Sequence, residues 1–432
     1  MIKADNRKSE GMIKKAAVLG MLLAIILINT GCYVEIERPE EKEQSGMVEE
    51  LTDSSLIKVA HTFYKRGAAV GYVGLGGKYP KENGFYFVDG VLYFYDTDSA
   101  EKMCICNKAG CSHSDSDCPA VIPGSSSFVC DEDTIFDFST REEGIQLIRS
   151  NILSGEKKSE ILIKNDRTTN VFLNNVYCSK GRIVIVCGIV DEHRSYFSVY
   201  IYDIDKNEIK LFLEDDSLSA WGVMGVYQQY VLVSHVKYQE EIVGAEAFFG
   251  QNPDTSNGEN ISWDKYREYL QSVPRVFEKR LYDLDTMTYI DILPILQDDS
   301  DEEPNLDLSS NGPIYGEYIL YLQGDQVVRY NMATGLREVL LERTHVVNGM
   351  LFDEKLFYIV SENGECSVFV YDPKSKETAK FYNNGNTQYM EFTIYDETKE
   401  AFIGYYNGNY VWIPKGDFYN ERYDKAVIYK GH

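Results

Sequence analysis

The chain has 432 residues and a formal net charge of −25, with 68 acidic against 43 basic side chains. An acidic surface of this kind has no electrostatic footprint for DNA or RNA, so nucleic acid is excluded as a partner. The 33 Tyr and 20 Phe favour strands over helices, and an apolar content of 44% is ample for a core.

In chain order, Lys14 and Lys15 precede the apolar run Ala16–Ile28, and Asn29-Thr30-Gly31-Cys32 follows it. A basic start, a short apolar stretch and small residues before a break form an export signal. The run is shorter than the ~20 residues that span a bilayer. With Cys32 directly after Gly31, residues 1–31 resemble a bacterial lipoprotein signal peptide, although Asn29 stands where that family usually has Leu. The resemblance implies a diacylglycerol on the Cys32 thiol and cleavage before it. The protein would then be membrane-bound through that lipid on the outer face of the bacterial cytoplasmic membrane. An uncleaved anchor or a plain secretory signal is the alternative. Residues 32–55 are rich in Glu with little to bury, and read as an acidic, disordered tether.

From there one phrase recurs. Val199–Leu213, VYIYDIDKNEIKLFL, is a strand of alternating apolar residues ending in Tyr202-Asp203, a polar turn, and a second strand. Copies begin at Val91, Leu147, Lys279, Val327 and Val368, with a weaker one at Tyr410. Aligned on Asp96, Asn151, Asp203, Asp283, Asn331, Asp372 and Ile413, they are 55, 52, 80, 48, 41 and 41 residues apart. Apart from the 80, these spacings bracket one four-stranded propeller blade. In blade three the strands read Asn175–Cys178, Arg182–Cys187, Phe197–Tyr202 and Ile209–Leu213. In blade six they read Gly349–Phe352, Lys355–Val360, Ser367–Tyr371 and Thr378–Tyr382. The fold expected for residues 56–432 is therefore all-β, a β-propeller of about seven four-stranded blades, with six or eight as the alternatives. A strand from 56–74 is expected to complete the seventh blade and close the ring. The recurrent Asp or Asn is expected to bond the backbone of the turn after it, and the Tyr beside it to pack between blades.

The spacing of 80 marks an insertion at 236–276. Within it Ser262 can cap a helix over Trp263–Val273 that stops before Pro274. That helix either packs on the rim or forms a lid. The acidic stretch Gln297–Asp307 lacks the spaced ligands and Gly of a calcium loop and reads as solvated.

Cys104–Cys118, CICNKAGCSHSDSDC, holds the densest chemistry as Cys106-x4-Cys111-x-His113-x4-Cys118. Together with the signal, the Gly84–Phe87 strand and Ala120, it resembles a group of propeller-like surface lipoproteins of anaerobic Firmicutes with a Cys/Cys-His/Cys loop. Ala109-Gly110 stand where that group often has Pro-Asp. The resemblance implies the anchor and the architecture and carries no activity with it. Three thiols and an imidazole could hold one structural Zn²⁺. In an exported protein the same cysteines could instead pair as disulfides, with Cys104 and Cys130 as further partners and His113 hydrogen-bonded, or stay free thiols. Cys178, Cys187 and Cys366 lie in strands and read as small apolar side chains.

The sequence holds no G-x-S-x-G, H-E-x-x-H, phosphate loop or dinucleotide fingerprint. His61, His193, His235 and His345 stand alone, and His235 reads as a satisfied strand histidine. The expected function is a non-catalytic binding or scaffolding module for a protein or glycan partner. The alternative is a propeller enzyme acting on carbohydrate, whose paired carboxylates would show only in space.

Overall fold

The computed structural model describes residues 51–430 apart from 63, 65–77, 123–126, 167, 192–194, 216–218, 241–242, 244–247, 249–262, 298–301, 310–311 and 384–391. Residues 1–31, Cys32, most of the tether, His193 and Ser262 lie outside the described residues. No helix among the described residues is long and apolar enough to cross a membrane.

A short strand, β1 (Leu51–Thr52), precedes the ring. Blade one is β2 (Lys78–Lys81), β3 (Gly84–Asp89), β4 (Val91–Asp96) and β5 (Glu101–Cys104). Blade two is β6 (Ser127–Asp131), β7 (Thr134–Arg141), β8 (Gly144–Asn151) and β9 (Lys157–Lys164). Blade three is β10 (Asn170–Ser179), β11 (Arg182–Val190), β12 (Ser195–Asp203) and β13 (Glu208–Glu214). Blade four is β14 (Ser219–Tyr227), β15 (Tyr230–Tyr238), β16 (Arg275–Asp283) and β17 (Thr288–Asp291). Blade five is β18 (Ile314–Tyr315), β19 (Tyr318–Gln323), β20 (Gln326–Asn331) and β21 (Arg337–Glu342). Blade six is β22 (Val346–Phe352), β23 (Lys355–Glu362), β24 (Glu365–Asp372) and β25 (Glu377–Asn383). Blade seven is β26 (Phe392–Glu397), β27 (Ala401–Tyr406), β28 (Asn409–Pro414) and β29 (Val427–Lys430).

Each blade is an antiparallel sheet in chain order, and the seven form a β-propeller. The first strands of neighbouring blades meet, β6 with β10, β10 with β14 and β14 with β18, so they surround the axis. Fourth strands such as β9 and β13 form the exposed rim. The seven repeats of the Tyr-Asp phrase are the seven third strands.

The Asp or Asn that ends six of the seven third strands behaves as its chemistry dictates. Asp96 Oδ1 accepts the N–H of Asp98 and Ser99 at 3.0 and 2.8 Å. Asn151 accepts from Ser154, Asp203 from Lys206, Asp283 from Asp285 and Thr286, Asn331 from Ala333 and Thr334, and Asp372 from Lys374 and Ser375. A short carboxylate or amide thus satisfies the donors that the turn leaves open. The neighbouring tyrosines reach the preceding blade. Tyr95 meets Trp412 at 5.5 Å between ring centroids, Tyr202 meets Phe136 at 6.3 Å, and Tyr282 meets Phe212 at 4.9 Å.

Closure differs from expectation. Blade seven takes all four strands from its own sequence, its outermost strand being β29 rather than one from 56–74. The seam between blades seven and one is held by side chains. Phe85, Phe87 and Tyr95 pack with Ala401, Ile403, Trp412 and Tyr429. Lys78 Nζ lies 3.6 Å from Asp396, the Thr97 and Thr398 hydroxyls are 3.1 Å apart, and Lys399 N–H donates to the Glu82 carbonyl at 2.7 Å. The N-terminal strand β1 instead pairs in parallel with β25, as a fifth strand on blade six. A two-residue strand needs few partners, and the open edge of β25 supplies them.

The insertion joins β15 to β16, so 236–238 and 275–276 belong to strands and the excursion is 239–274. Helix α1 (Trp263–Ser272) ends ahead of Pro274. The hydroxyl of its Tyr269 accepts the Val243 N–H at 2.8 Å, and the Tyr269 ring stacks on Phe248 at 5.0 Å. The acidic stretch 297–307 is not wholly solvated. Asn305 exchanges two backbone bonds with Leu322, and Leu306 and Leu308 are buried. Apolar residues at 306 and 308 pull the end of the loop onto blades five and six, which its charge density conceals.

Candidate metal centre

β5 stops at Cys104, and the next residues stay bound to blade one. Ile105 N–H donates to the Leu92 carbonyl at 3.0 Å, and Leu92 N–H donates to Ala120 at 2.7 Å. Ile105, Ala120 and Ile122 are buried, which ties both ends of the Cys/His loop to the core shared by the first three blades. Between those ends the chain bends sharply. Gly110 and His113 have φ of 71° and 55°, the left-handed region open to Gly and uncommon for His. Turns run from Lys108 to Cys111 and from Asp115 to Cys118, and the Asp115 carboxylate accepts the Asp117 N–H at 2.9 Å.

These bends bring one Sγ each from Cys106, Cys111 and Cys118, and a ring nitrogen of His113, within 4.8 Å of one another. Among the described residues this is the group of three or more His, Cys or carboxylate side chains able to share an ion. Cys118 Sγ lies 3.6 Å from His113 Nδ1. A tetrahedral zinc with bonds of about 2.3 Å to sulfur and 2.05 Å to nitrogen sets those two ligands about 3.6 Å apart. The donor set therefore fits Zn²⁺ in kind, and the Cys118–His113 pair fits it in spacing. The His113 N–H points at Cys111 Sγ at 3.4 Å and holds that thiol below its ordinary pKa. Burial pushes the Cys118 thiol up to about 11. All eight described cysteines are free thiols, Cys104 and Cys130 included. Cys178 and Cys187 are buried in their strands, and Cys366 is half-buried.

A residue with no sequence signal completes the loop. Lys157, at the start of β9, donates to the carbonyls of Ser116, Cys118 and Val121 at 2.7, 3.1 and 2.9 Å. Asn107 donates to Leu153 in the β8–β9 turn at 2.6 Å. The cluster thus sits on the rim between blades one and two, bonded to both. Its three carbonyl partners leave Lys157 little room for water, and burial lowers its pKa.

A second polar centre lies outside every sequence expectation. Asp353, in the β22–β23 turn, and Glu397, at the end of β26, are buried with Lys355, Lys415 and Tyr419. Asp353 accepts from Lys355 and Lys415 at 3.3 Å each and from the Tyr419 hydroxyl at 3.2 Å. Glu397 accepts from Lys415 at 2.8 Å and from the Asp353 N–H at 2.9 Å. The remaining acceptor capacity goes to the N-terminal segment. Ala60 and Thr62 N–H donate to Asp353 at 2.9 and 3.3 Å, and Tyr64 N–H donates to Glu397 at 3.0 Å. Lys415 Nζ returns a bond to the Thr62 carbonyl at 2.5 Å. Donors at every second residue are what an extended backbone presents along one edge. Burial raises the pKa of Glu397.

Two of the isolated histidines meet carboxylates. His235 Nδ1 lies 2.8 Å from the Glu278 carboxylate and the ring stacks on Trp221 at 3.7 Å, while its buried Nε2 has no protein partner. His61 meets Glu400 at 2.7 Å.

No family model matches the chain, and no curated protein matches it. Solved structures do. Dipeptidyl peptidase 4 of Porphyromonas gingivalis is 6% identical with a TM-score of 0.40, over 82% of this chain and 52% of that one. The β-propeller domain of the Trilobed protease from Pyrococcus furiosus is 10% identical with a TM-score of 0.38, over 81% and 94%. Oligogalacturonate lyase of Vibrio parahaemolyticus is 9% identical with a TM-score of 0.39, over 69% and 75%. The chain thus spans about half the length of the peptidase.

Proposed function

We propose that this protein is an exported β-propeller held on the outer face of the bacterial cytoplasmic membrane by a lipid on Cys32. In that setting it acts as a non-catalytic module that binds a protein or glycan partner. Cys106, Cys111, His113 and Cys118 hold a structural Zn²⁺ that clamps the loop between blades one and two. The observation that carries the reading is the convergence of four protein ligands from one loop. Four such ligands fill a tetrahedral shell, whereas hydrolytic zinc keeps a position for water. When bound, zinc would supply cross-linking and charge neutralisation, and Lys157 and Asn107 would fix the loop that carries it.

Elemental analysis and thiol titration of the purified protein test the clamp. One zinc per chain supports it, and loss of free thiols without metal replaces it with disulfides. Cys32→Ala should move the protein from the membrane fraction to the soluble one, and retention like wild type would refute the lipid anchor. Calorimetric titration against purified wall glycans tests binding, and turnover of any of them would make the protein an enzyme.

A further inference from the structure

We infer that the ring is oriented on its membrane, with the end that bears the first–second and third–fourth strand turns facing the bilayer and the opposite end facing outward to the partner. The inference rests on the lipid anchor at Cys32 proposed above, and the docked N-terminal segment supplies its direction.

In an antiparallel blade, the first–second and third–fourth turns lie at one end. The second–third connections and the crossings between blades leave from the other. The two ends differ here. First–second turns are two residues long in six blades, as at Glu132-Asp133, Lys180-Gly181 and Asp353-Glu354. The other end sends out the long connections 239–274 and 292–313.

Among the described residues, the side-chain and backbone bonds of 54–64 go to the short-turn end. The partners there are Asp353 and Glu397 with Lys415, Glu400 for His61, and Glu421 for Ser54. Tyr64 lies 6.2 Å from Tyr318 just past the first turn of blade five, and Ile57 is buried in the core of blades six and seven. Entry is fixed as well. Leu51 pairs with Thr378 and Thr52 with Ala379, in parallel, and β25 begins at the short-turn end. β1 therefore starts on that side of the ring, with Leu51 nearest it.

The link to the lipid is short. Eighteen residues lie between Cys32 and Leu51, a length for which a random coil has an r.m.s. span of about 23 Å. A compact body of roughly 380 residues has a radius of gyration of about 21 Å and is about 50 Å across. An anchor attached at one end of such a body holds that end nearer the bilayer. Asp353 and Lys415 are fully buried beneath the segment, so the attachment does not slide.

The test places one short peptide tag, labelled enzymatically with a fluorophore, in either of two exposed turns of blade five. One insertion is between Gly324 and Asp325 at the long-loop end, the other between Thr334 and Gly335 at the short-turn end. The full lipidated chain is reconstituted in phosphatidylcholine vesicles carrying an energy-transfer acceptor on the headgroup. Greater transfer from the Thr334-Gly335 insertion is expected, and Asp353→Ala should shrink the difference by freeing the segment. Equal or reversed transfer from protein that floats with the vesicles overturns the orientation and leaves the anchor standing. Failure to float overturns the anchor, and the orientation with it.

Discussion

Asp353→Ala is the sharpest probe of how the ring is braced. The substitution removes the acceptor of two backbone N–H groups, two lysine ammoniums and a tyrosine hydroxyl, all at 2.9–3.3 Å. The carboxylate it deletes is fully buried. Lys415 keeps Glu397 at 2.8 Å, while Lys355 keeps the backbone carbonyl of residue 353 at 3.0 Å but has Asp372, 3.9 Å away, as its remaining carboxylate. Removing one partner of a buried ion pair costs about 3–5 kcal/mol, because the other charge stays out of water. An unfolding entropy of about 2.1 cal/mol/K per residue over roughly 380 residues is ~0.8 kcal/mol/K, so ~4 kcal/mol lowers Tm by about 5 °C. Differential scanning calorimetry reads the shift, and hydrogen exchange at Ala60, Thr62 and Tyr64 should accelerate with it. Asp353→Asn, which keeps an acceptor oxygen but loses the charge, should fall between. A Tm within about 1 °C of wild type, with protection at 60–64 unchanged, would refute the socket as the fastening of the N-terminal segment.

Cys111→Ser and Cys118→Ser should each lower Tm by about 4 °C, since a clamp closing a loop of this length contributes about 3 kcal/mol, and should leave partner binding intact. If both melt like wild type, the loop is not a clamp. Stability should also fall as pH drops below about 6.5, because burial lowers the His235 pKa. The unfolded chain then takes up a proton that folded His235 refuses, so the stability is present above the unfolded pKa and is lost as pH falls toward the folded one. His235→Gln should flatten that part of the urea-denaturation profile between pH 7 and 5, and an unchanged slope would remove His235 from the account.

The blades were legible because their signal is local. An Asp or Asn that bonds N–H groups two and three residues on, as Asp96 does with Asp98 and Ser99, acts wholly within the stretch that shows it. It recurs at six of the seven third strands, and the degenerate copy at Ile413 marks the seventh by its apolar alternation alone. The candidate ligands were legible for the same reason, since all four lie within residues 106–118. Lys157 was not, because what it recognises is three backbone carbonyls that any residue would carry.

Closure departs from the sequence expectation for a related physical reason. A ring of self-contained blades needs bracing beside the seam where its termini meet, and a shared strand is one way to provide it. Here the bracing comes from the two segments that flank blade one in sequence. The segment before it fastens blades five, six and seven from below, and the Cys/His loop after it joins blades one and two. The first fastening operates through Asp353 and Glu397, nearly 300 or more residues from the N–H groups they accept. Those donors belong to the backbone, so Ala60 and Thr62 need no particular side chain and leave no pattern to find. What the sequence does show there is an apolar-rich run, with Leu56, Ile57, Val59, Phe63 and Tyr64, and it fits a strand as well as a strap. The buried acidic pair is therefore the feature that distinguishes the two, and it becomes visible only when turns from neighbouring blades are brought together.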